Sequence, residues 1–396
     1  MDHIVRNAIA RAKEEVKQKA LKGKKKGGMI IAGEPKAEKI KKFKPSGKKV
    51  LHSDEDIAKM LKDSQAKILV VGAGGGGCNT IERMAEVGIE GAVTLAINTD
   101  AQDLLVTKAN KKILIGKKLT RGLGAGSDPQ IGEAAARESM EALQETLSEL
   151  DLVFITCGMG GGTGTGSAPV VAEIAKSMKA LTIGVVTLPF TVEGKKRMEN
   201  ALEGLNRLRE YTDTIIVIPN DKILEIAPDL PINAAFKVAD EVLTNAVKGI
   251  TEMVTKPGLI NLDFADLKTI LSRGGAAMIG LGESSGGENS EARALESVEN
   301  ALTSPLLDVD ISGANRALVN VVGGSDMTLR EAEMIVETVS TKIDSSSHII
   351  WGAMVDDKLP KNKIHAMVVI AGGRFPYLDG DVKSKGGQID LGIEFT

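Results

Sequence analysis

The stretch that most limits what this chain can become is Gly158-Met159-Gly160-Gly161-Gly162-Thr163-Gly164-Thr165-Gly166. An apolar run, Asp151 to Cys157, leads into it, and Ala168-Pro169-Val170-Val171-Ala172-Glu173-Ile174 leads out. The pattern predicts a buried strand, a glycine loop and a helix. Glycine lets backbone take positive φ and lie close to a ligand. A helix starting at such a loop presents free N–H groups and the positive end of its dipole to an anion. Thr163 and Thr165 add hydroxyl donors, so the stretch is fitted to cradle phosphate. A plain flexible linker is the competing reading, but linkers seldom join a buried strand to an apolar helix.

A second glycine run lies upstream. Lys67 to Val71 predicts a strand, Gly72-Ala73-Gly74-Gly75-Gly76-Gly77 a turn, and a helix is expected to begin near Cys78-Asn79. Glycines at 72, 74 and 77 satisfy a dinucleotide-binding fingerprint, and the next strand, Ala92 to Ile97, ends at Asn98-Thr99-Asp100. Taken alone, this half reads as a nicotinamide oxidoreductase with Asp100 on the ribose. The loop near 160 argues otherwise, because one dinucleotide does not need it. It is also not a Walker A loop, since no Gly-Lys-Ser/Thr closes it.

The run Gly160-Gly161-Gly162-Thr163-Gly164-Thr165-Gly166 resembles the signature of the tubulin and FtsZ superfamily, and the chain is similar to an archaeal form of the FtsZ family of division GTPases. The resemblance implies that both glycine loops serve one guanine nucleotide. It carries over to Gly74, Gly75, Gly76 and Asn79 in the first loop. It carries equally to Gly160, Gly161, Gly162, Thr163, Gly164, Thr165 and Gly166 in the second. Asp100 and Mg²⁺ are expected beside the phosphates. In Gly122-Leu123-Gly124-Ala125-Gly126-Ser127-Asp128-Pro129, the N–H groups of Ala125 and Gly126 would face the γ-phosphate. Asp128 stands where many bacterial members have Asn; it suits the cap of a helix that Pro129 opens and that runs to about Leu150.

Within Pro189-Phe190-Thr191-Val192-Glu193-Gly194-Lys195-Lys196-Arg197-Met198, the resemblance gives Glu193 and Arg197 to the ribose. An i,i+4 ion pair on a solvated face is the bland alternative. Residues 233–255 repeat apolar side chains at i, i+3, i+4 and i+7, the period of one long helix of roughly 35 Å. Near its start the resemblance stacks Phe236 on guanine and has Asp240 accept from its amide edge; by position alone Phe236 would be a core residue. After Lys256-Pro257-Gly258, Asp263 and Asp266 are either capping residues or, by resemblance, the catalytic acids that reach the nucleotide of the next subunit. Lys268 replaces the Arg of many relatives, keeping charge without the planar fork.

Strands and helices alternate from residue 67, the grammar of a parallel sheet covered on both faces. From about 267 four strands and two helices suggest a small α+β domain. The expected organisation is a basic extension at 1–65, a Rossmann-like GTP-binding domain at 66–232, a central helix at 233–256, an α+β domain at 257–374 and a tail at 375–396. Residues 1–50 hold 16 Lys/Arg against 5 Asp/Glu, while the whole chain is at −3, so the extension is basic and the body acidic. Residues 1–21 pattern as an amphipathic helix, 22–49 as a linker, and Ser53 and Asp56 as the cap of a further short helix. A docked, solvated tail is favoured for the extension over a surface for anionic lipid; nucleic acid is not expected, and Phe43 is its one aromatic anchor.

The tail closes with Ile389-Asp390-Leu391-Gly392-Ile393-Glu394-Phe395-Thr396, similar to the family's terminal peptide for membrane-anchor and division proteins. Two cysteines, Cys78 and Cys157, read as packing residues in a reducing compartment, and no apolar run nears the roughly 18 residues of a transmembrane helix. The expectation is a cytoplasmic, mid-cell GTPase that assembles head-to-tail. A relative that holds GTP only as structural glue is the second alternative to it.

Overall fold

The computed structural model describes residues 65–226, 231–272, 274–284, 290–307, 311 and 313–372. The helices expected within 1–64 and the tail from 375 lie outside the described residues. Ten strands form one sheet in the order β3-β2-β1-β4-β5-β6-β7-β10-β8-β9. The first six are β1 (Ile68–Ala73), β2 (Ala92–Asn98), β3 (Lys111–Leu114), β4 (Leu152–Gly158), β5 (Leu181–Leu188) and β6 (Thr214–Pro219). All their pairings are parallel. Their near-continuous Val, Ile and Leu fit strands buried on both faces.

Helices fill the crossovers: α1 (Gly74–Val87), α2 (Ala101–Val106), α3 (Lys117–Thr120), α4 (Pro129–Glu138), α5 (Met140–Leu147), α6 (Thr163–Ser177), α7 (Lys195–Tyr211) and α8 (Asn220–Ile226). Two of them start earlier than the glycines predict. The four glycines after Ala73 form the first turn of α1 instead of a separate loop, and α6 begins at Thr163, which leaves Pro169 inside it. Glycine is a poor helix former, but here close packing overrides propensity. A β-carbon at Gly77 would lie 2.6 Å from the Thr156 carbonyl, and one at Gly74 would lie 2.7 Å from the Gly164 nitrogen. The single helix expected from Pro129 to Leu150 is broken at Ser139, whose hydroxyl accepts from Gly116 N–H at 3.1 Å.

The long helix is present as α9 (Ile232–Thr255). After it come α10 (Phe264–Leu271), β7 (Gly275–Glu283), α11 (Ser290–Leu302), β8 (Arg316–Gly323), α12 (Leu329–Ser340), β9 (His348–Val355) and β10 (Ile364–Ala371). The sheet does not stop between the two halves. β6 pairs parallel with β7 through Thr214–Gly275 to Ile216–Ala277, and β7 then pairs antiparallel with β10. One core lies under α9 and includes Val242, Leu243, Val247 and Ile250 of that helix. It takes Val70 and Phe154 from the first half and Ile279, Leu318 and Val369 from the second. Burying each large side chain of this kind contributes about 1.5–3 kcal/mol, so α9 ties the two halves together through a shared core. A second core lies under α4–α7 on the opposite face, and a third lies under α11 and α12.

Candidate nucleotide site

Strand order reverses beside β1: the chain goes outward through β2 and β3, then returns to β4 on the other side. Ligands of open α/β sheets settle in the crevice at such a switch point, outside the carboxyl ends of the strands. Both glycine runs follow the two strands that define it. The N-termini of α1 and α6 converge there, so two sets of unpaired helix N–H groups and two dipoles face one cleft of about 270 Å³.

Of the residues the sequence singled out, Gly75, Gly76, Asn79, Gly161, Gly162, Thr163 and Gly164 line this cleft at its phosphate-loop end. Glu193, Arg197, Phe236 and Asp240 line its other part. A β-carbon at Gly161 would meet nothing within 4 Å, so backbone there faces open space. The Thr163 hydroxyl shares a 2.6 Å hydrogen bond with the Thr99 hydroxyl. Thr165 is turned inward instead: it is 1% exposed and its hydroxyl accepts from Gly160 N–H at 2.9 Å, closing the loop on itself. Gly160 has φ +98°, and Gly166 is fitted against the Pro129 carbonyl where α4 and α6 touch. These three residues shape the loop from behind, and Gly74 likewise is buried against it.

Asp100 caps α2, accepting from Gln102 N–H at 2.8 Å and Asp103 N–H at 3.2 Å. Ala125 is buried and Gly126 exposed, and Ala125 lies close enough to Gly162 that a β-carbon there would sit 2.9 Å from its own. Asp128 caps α4 as the sequence predicts, accepting from Gln130 N–H at 2.9 Å. Asp103, with Asn98 donating to it at 2.6 Å, is pushed up by burial and by the charge of Asp100.

Glu193 accepts from Phe190 N–H at 2.8 Å and pairs with Arg197 Nε at 3.1 Å, so the bland i,i+4 pair is real and also lies in the cleft wall. Phe236 is not a core residue. Its ring is 39% exposed and meets Phe190 edge-on, with centroids 5.0 Å apart. Asp240 lies one turn further along α9. Burial pushes its carboxyl up to about 6, against the pull of the Thr80 hydroxyl donating at 3.4 Å. A half-buried carboxylate and an exposed ring on one cleft wall have the chemistry to accept a flat heterocycle that offers N–H donors.

Sequence reasoning missed Thr187 and Asn220, which also line the cleft. Asn220 is 4% exposed, and its Oδ1 has no hydrogen-bond partner among the described residues. Its place at the carboxyl end of β6 was the available signal. Asp263 and Asp266 are not brought to this cleft. They sit exposed at the start of α10, beyond the far end of α9, which spans roughly 36 Å for its 24 residues. Asp263 caps α10, accepting from Asp266 N–H at 2.8 Å. A larger cavity of about 540 Å³ between α9 and β7, β8 and β10 contains none of these residues.

The cysteines are both free and buried, and burial pushes Cys78 up to about 11 and Cys157 up to about 12. Both pack in apolar clusters, as the sequence leads one to expect.

Comparison with known proteins gives the cleft a family. The profile of the Tubulin/FtsZ family, GTPase domain, matches residues 67–228, and that of the FtsZ family, C-terminal domain, matches 275–374. The chain is 60% identical over 324 residues to cell division protein FtsZ 1 of Thermococcus kodakarensis, covering 82% of this chain and 85% of that protein. The chain belongs to the FtsZ family. It is 58% identical over 334 residues to FtsZ 1 of Methanocaldococcus jannaschii, with 84% and 90% covered. A solved structure of an empty FtsZ dimer from M. jannaschii superposes with a TM-score of 0.77 at 60% identity, covering 81% of this chain and 92% of that one. FtsZ membership makes the chain a GTPase of the cell-division family that binds GTP and GDP. The nicotinamide and non-catalytic alternatives fall with it. No helix among the described residues is long and apolar enough to cross a membrane.

Proposed function

We propose that this FtsZ-family chain assembles head-to-tail into filaments of the mid-cell division ring in the cytoplasm, and that each nucleotide is hydrolysed between two subunits. The observation that carries this reading is a separation. The cleft at the β1/β4 switch point has two helix N-termini for phosphate, Glu193 and Arg197 at its wall, and Phe236 with Asp240 at its end. Among the described residues, the carboxylates that line it, Glu193 and Asp240, belong to the part away from the phosphate-loop end. The exposed acids Asp263 and Asp266 stand at the start of α10, beyond the other end of α9. Phosphoryl transfer depends on positioning and charge stabilisation, so a neighbour's Asp263 and Asp266 would orient the attacking water. That M. jannaschii FtsZ has been seen as a dimer supports self-association.

In this reading residues 66–232 hold the nucleotide, 233–256 connect, and 257–374 present the acids. The N–H groups of Gly75, Gly76 and Gly161–Gly164 bind phosphate, with Ala125 and Gly126 at the γ-phosphate. Thr165, Gly160 and Gly166 hold the loop's shape. Asn79 and Asp240 read guanine, Asp240 accepting from N1–H and N2–H. Among the described residues no three His, Cys, Asp or Glu gather as a metal site. Mg²⁺ prefers one or two carboxylates plus substrate phosphates; Asp100, oriented by its two N–H bonds, would hold it, and the ion would offset phosphate charge. The terminal peptide, 389–395, would engage membrane-anchor or division proteins.

The test is phosphate release from GTP measured against protein concentration, with light scattering in parallel. The specific rate should rise above a threshold at which scattering appears. A constant specific rate without scattering would mean a self-contained site.

A further inference from the structure

Strand β9 forms one end of the sheet, and its outer edge is only half used. His348 N–H donates to the Asn315 carbonyl at 2.9 Å, and Asp356 N–H donates to Gly323 at 3.0 Å. Alternate residues of a parallel strand address its partner, so His348, Ile350, Gly352 and Met354 face β8. Ile349, Trp351 and Ala353 therefore turn their N–H and C=O outward. Ala353 is satisfied: its N–H donates to Ile260 at 3.3 Å and its carbonyl accepts from Leu259 N–H at 2.8 Å. Among the described residues nothing bonds the outward groups of Ile349 and Trp351. An open edge of this kind is a template for another strand. Both side chains are only partly buried, on the face that packs under α12.

The chain carries a segment that suits this edge. Ile389-Asp390-Leu391-Gly392-Ile393-Glu394-Phe395 alternates apolar and polar or glycine residues through seven positions. That period puts four apolar side chains on one face of a strand. The segment is also tethered close by. Ala371 at the end of β10 is in register with Arg316, and Arg316 with His348, so the chain leaves the sheet two strand spacings, roughly 10 Å, from the start of β9. Seventeen residues, 372–388, separate that exit from Ile389. Seventeen residues can bridge up to roughly 55 Å when extended, so the length of chain is enough to reach the edge.

We propose that residues 389–395 dock as an added strand on the outer edge of β9, bonding the outward N–H and C=O of Ile349 and Trp351. In-register neighbours point to the same face, so Ile389, Leu391, Ile393 and Phe395 extend the core under α12 and cover the Trp351 indole. The docked segment lies next to Leu259 and Ile260, in the loop that leads to Asp263. The tail is then held by its own chain until a partner competes for it.

Residue-resolved amide hydrogen exchange on the full chain and on a chain ending at residue 386 tests this. The Ile349 and Trp351 amides should exchange on the order of tenfold faster after truncation, the value for an edge covered about nine-tenths of the time. The His348, Ile350 and Gly352 amides, bonded to β8, should not change. Trp351 is the chain's single tryptophan, so truncation should red-shift the intrinsic fluorescence, and a synthetic 387–396 peptide should reverse the shift. Leu391→Pro in the full chain should behave like the truncation, because proline cannot join a ladder. Equal exchange at Ile349 and Trp351 with and without the tail would overturn the proposal. So would protection in both forms that grows with protein concentration, which would put a second copy on the edge.

Discussion

At Asp240 the fold sets burial against charge. An aspartate that ionises near 3.9 in an unfolded chain is pushed up to about 6 here. Between those values the folded, nucleotide-free protein binds a proton that the unfolded chain has released. Its stability therefore falls as pH rises through that window, and the full penalty is present above about 6. In the proposed reading guanine would offer two N–H donors to the ionised carboxyl and offset the penalty, so that the burial of Asp240 would serve recognition. Asp240→Asn should raise the melting temperature of nucleotide-free protein at pH 7.5 by about 2–4 °C, the effect of ~1 kcal/mol in a large domain. The gain should vanish near pH 4. The same change should weaken GTP binding by about 10–100-fold, as expected for losing hydrogen bonds to a charged group. Wild-type affinity should itself decline below pH 6. Calorimetric titration across pH, with GTP affinity flat from pH 7 to 5, would contradict this role.

The glycines of the second loop separate by what surrounds them. Gly161 faces open space, whereas Gly166 is clamped against the Pro129 carbonyl. Gly161→Ala should leave thermal stability within about 0.5 kcal/mol of wild type and lower GTP affinity at least roughly tenfold, because the methyl group occupies space that a phosphate needs. Gly166→Ala should cost about 1–3 kcal/mol by overpacking α4 against α6, with binding lost only alongside stability. Denaturation and nucleotide titration on the pair discriminate the two roles.

Among the elements, α9 and α10 divide the work. α9 buries its apolar face into a core shared by both halves of the sheet and presents Phe236 and Asp240 to the cleft. α10 begins where the acids stand. Asp263 is a cap as well as a candidate catalyst, so Asp263→Ala should lose about 1 kcal/mol of stability together with turnover. The Asp266 side chain is exposed and makes no hydrogen bond or ion pair among the described residues. Asp266→Ala should therefore keep the fold, GTP binding and light scattering while phosphate release drops by at least roughly a hundredfold. Unchanged release would remove Asp266 from the reaction. The structure also shows why the two acids were ambiguous in the sequence: an N-cap and a catalytic carboxylate put the same residue type at the same place.

For the whole molecule, a helix of roughly 36 Å separates the cleft from the Asp pair; under the proposed hydrolysis between subunits, one chain would hold two halves of two different sites. Mixing then becomes informative. Asp266→Ala protein retains a cleft, and Gly161→Ala protein retains its acids. At GTP concentrations near the wild-type Kd, Asp266→Ala should be nearly inactive and Gly161→Ala weakly active, and an equimolar mixture should gain GTP turnover at contacts where the first lends its cleft and the second its acids. Phosphate release from the mixture equal to the sum of the separate rates would rule out a shared site.

Much of this protein is written in local sequence. Glycine runs bounded by apolar strands located the phosphate loops, the 3.6-residue period located α9, and Asp128-Pro129 located the start of α4. Those signals are legible because they depend on backbone preferences and burial within about ten residues. The sequence misplaced the first turns of α1 and α6, since glycine propensity argues against helix where close backbone packing demands it. By position alone it favoured a core role for Phe236, and only the family resemblance put it in the site; it gave no sign that Thr165 points inward or that Asn220 lines the cleft. Nor did it indicate that β6 and β7 would run the two halves into one sheet, or that β9 would keep an open edge. Each of these depends on which distant segments become neighbours. Strand order, helix crossing and the resulting burial decide that, and they arise from the packing of the whole chain.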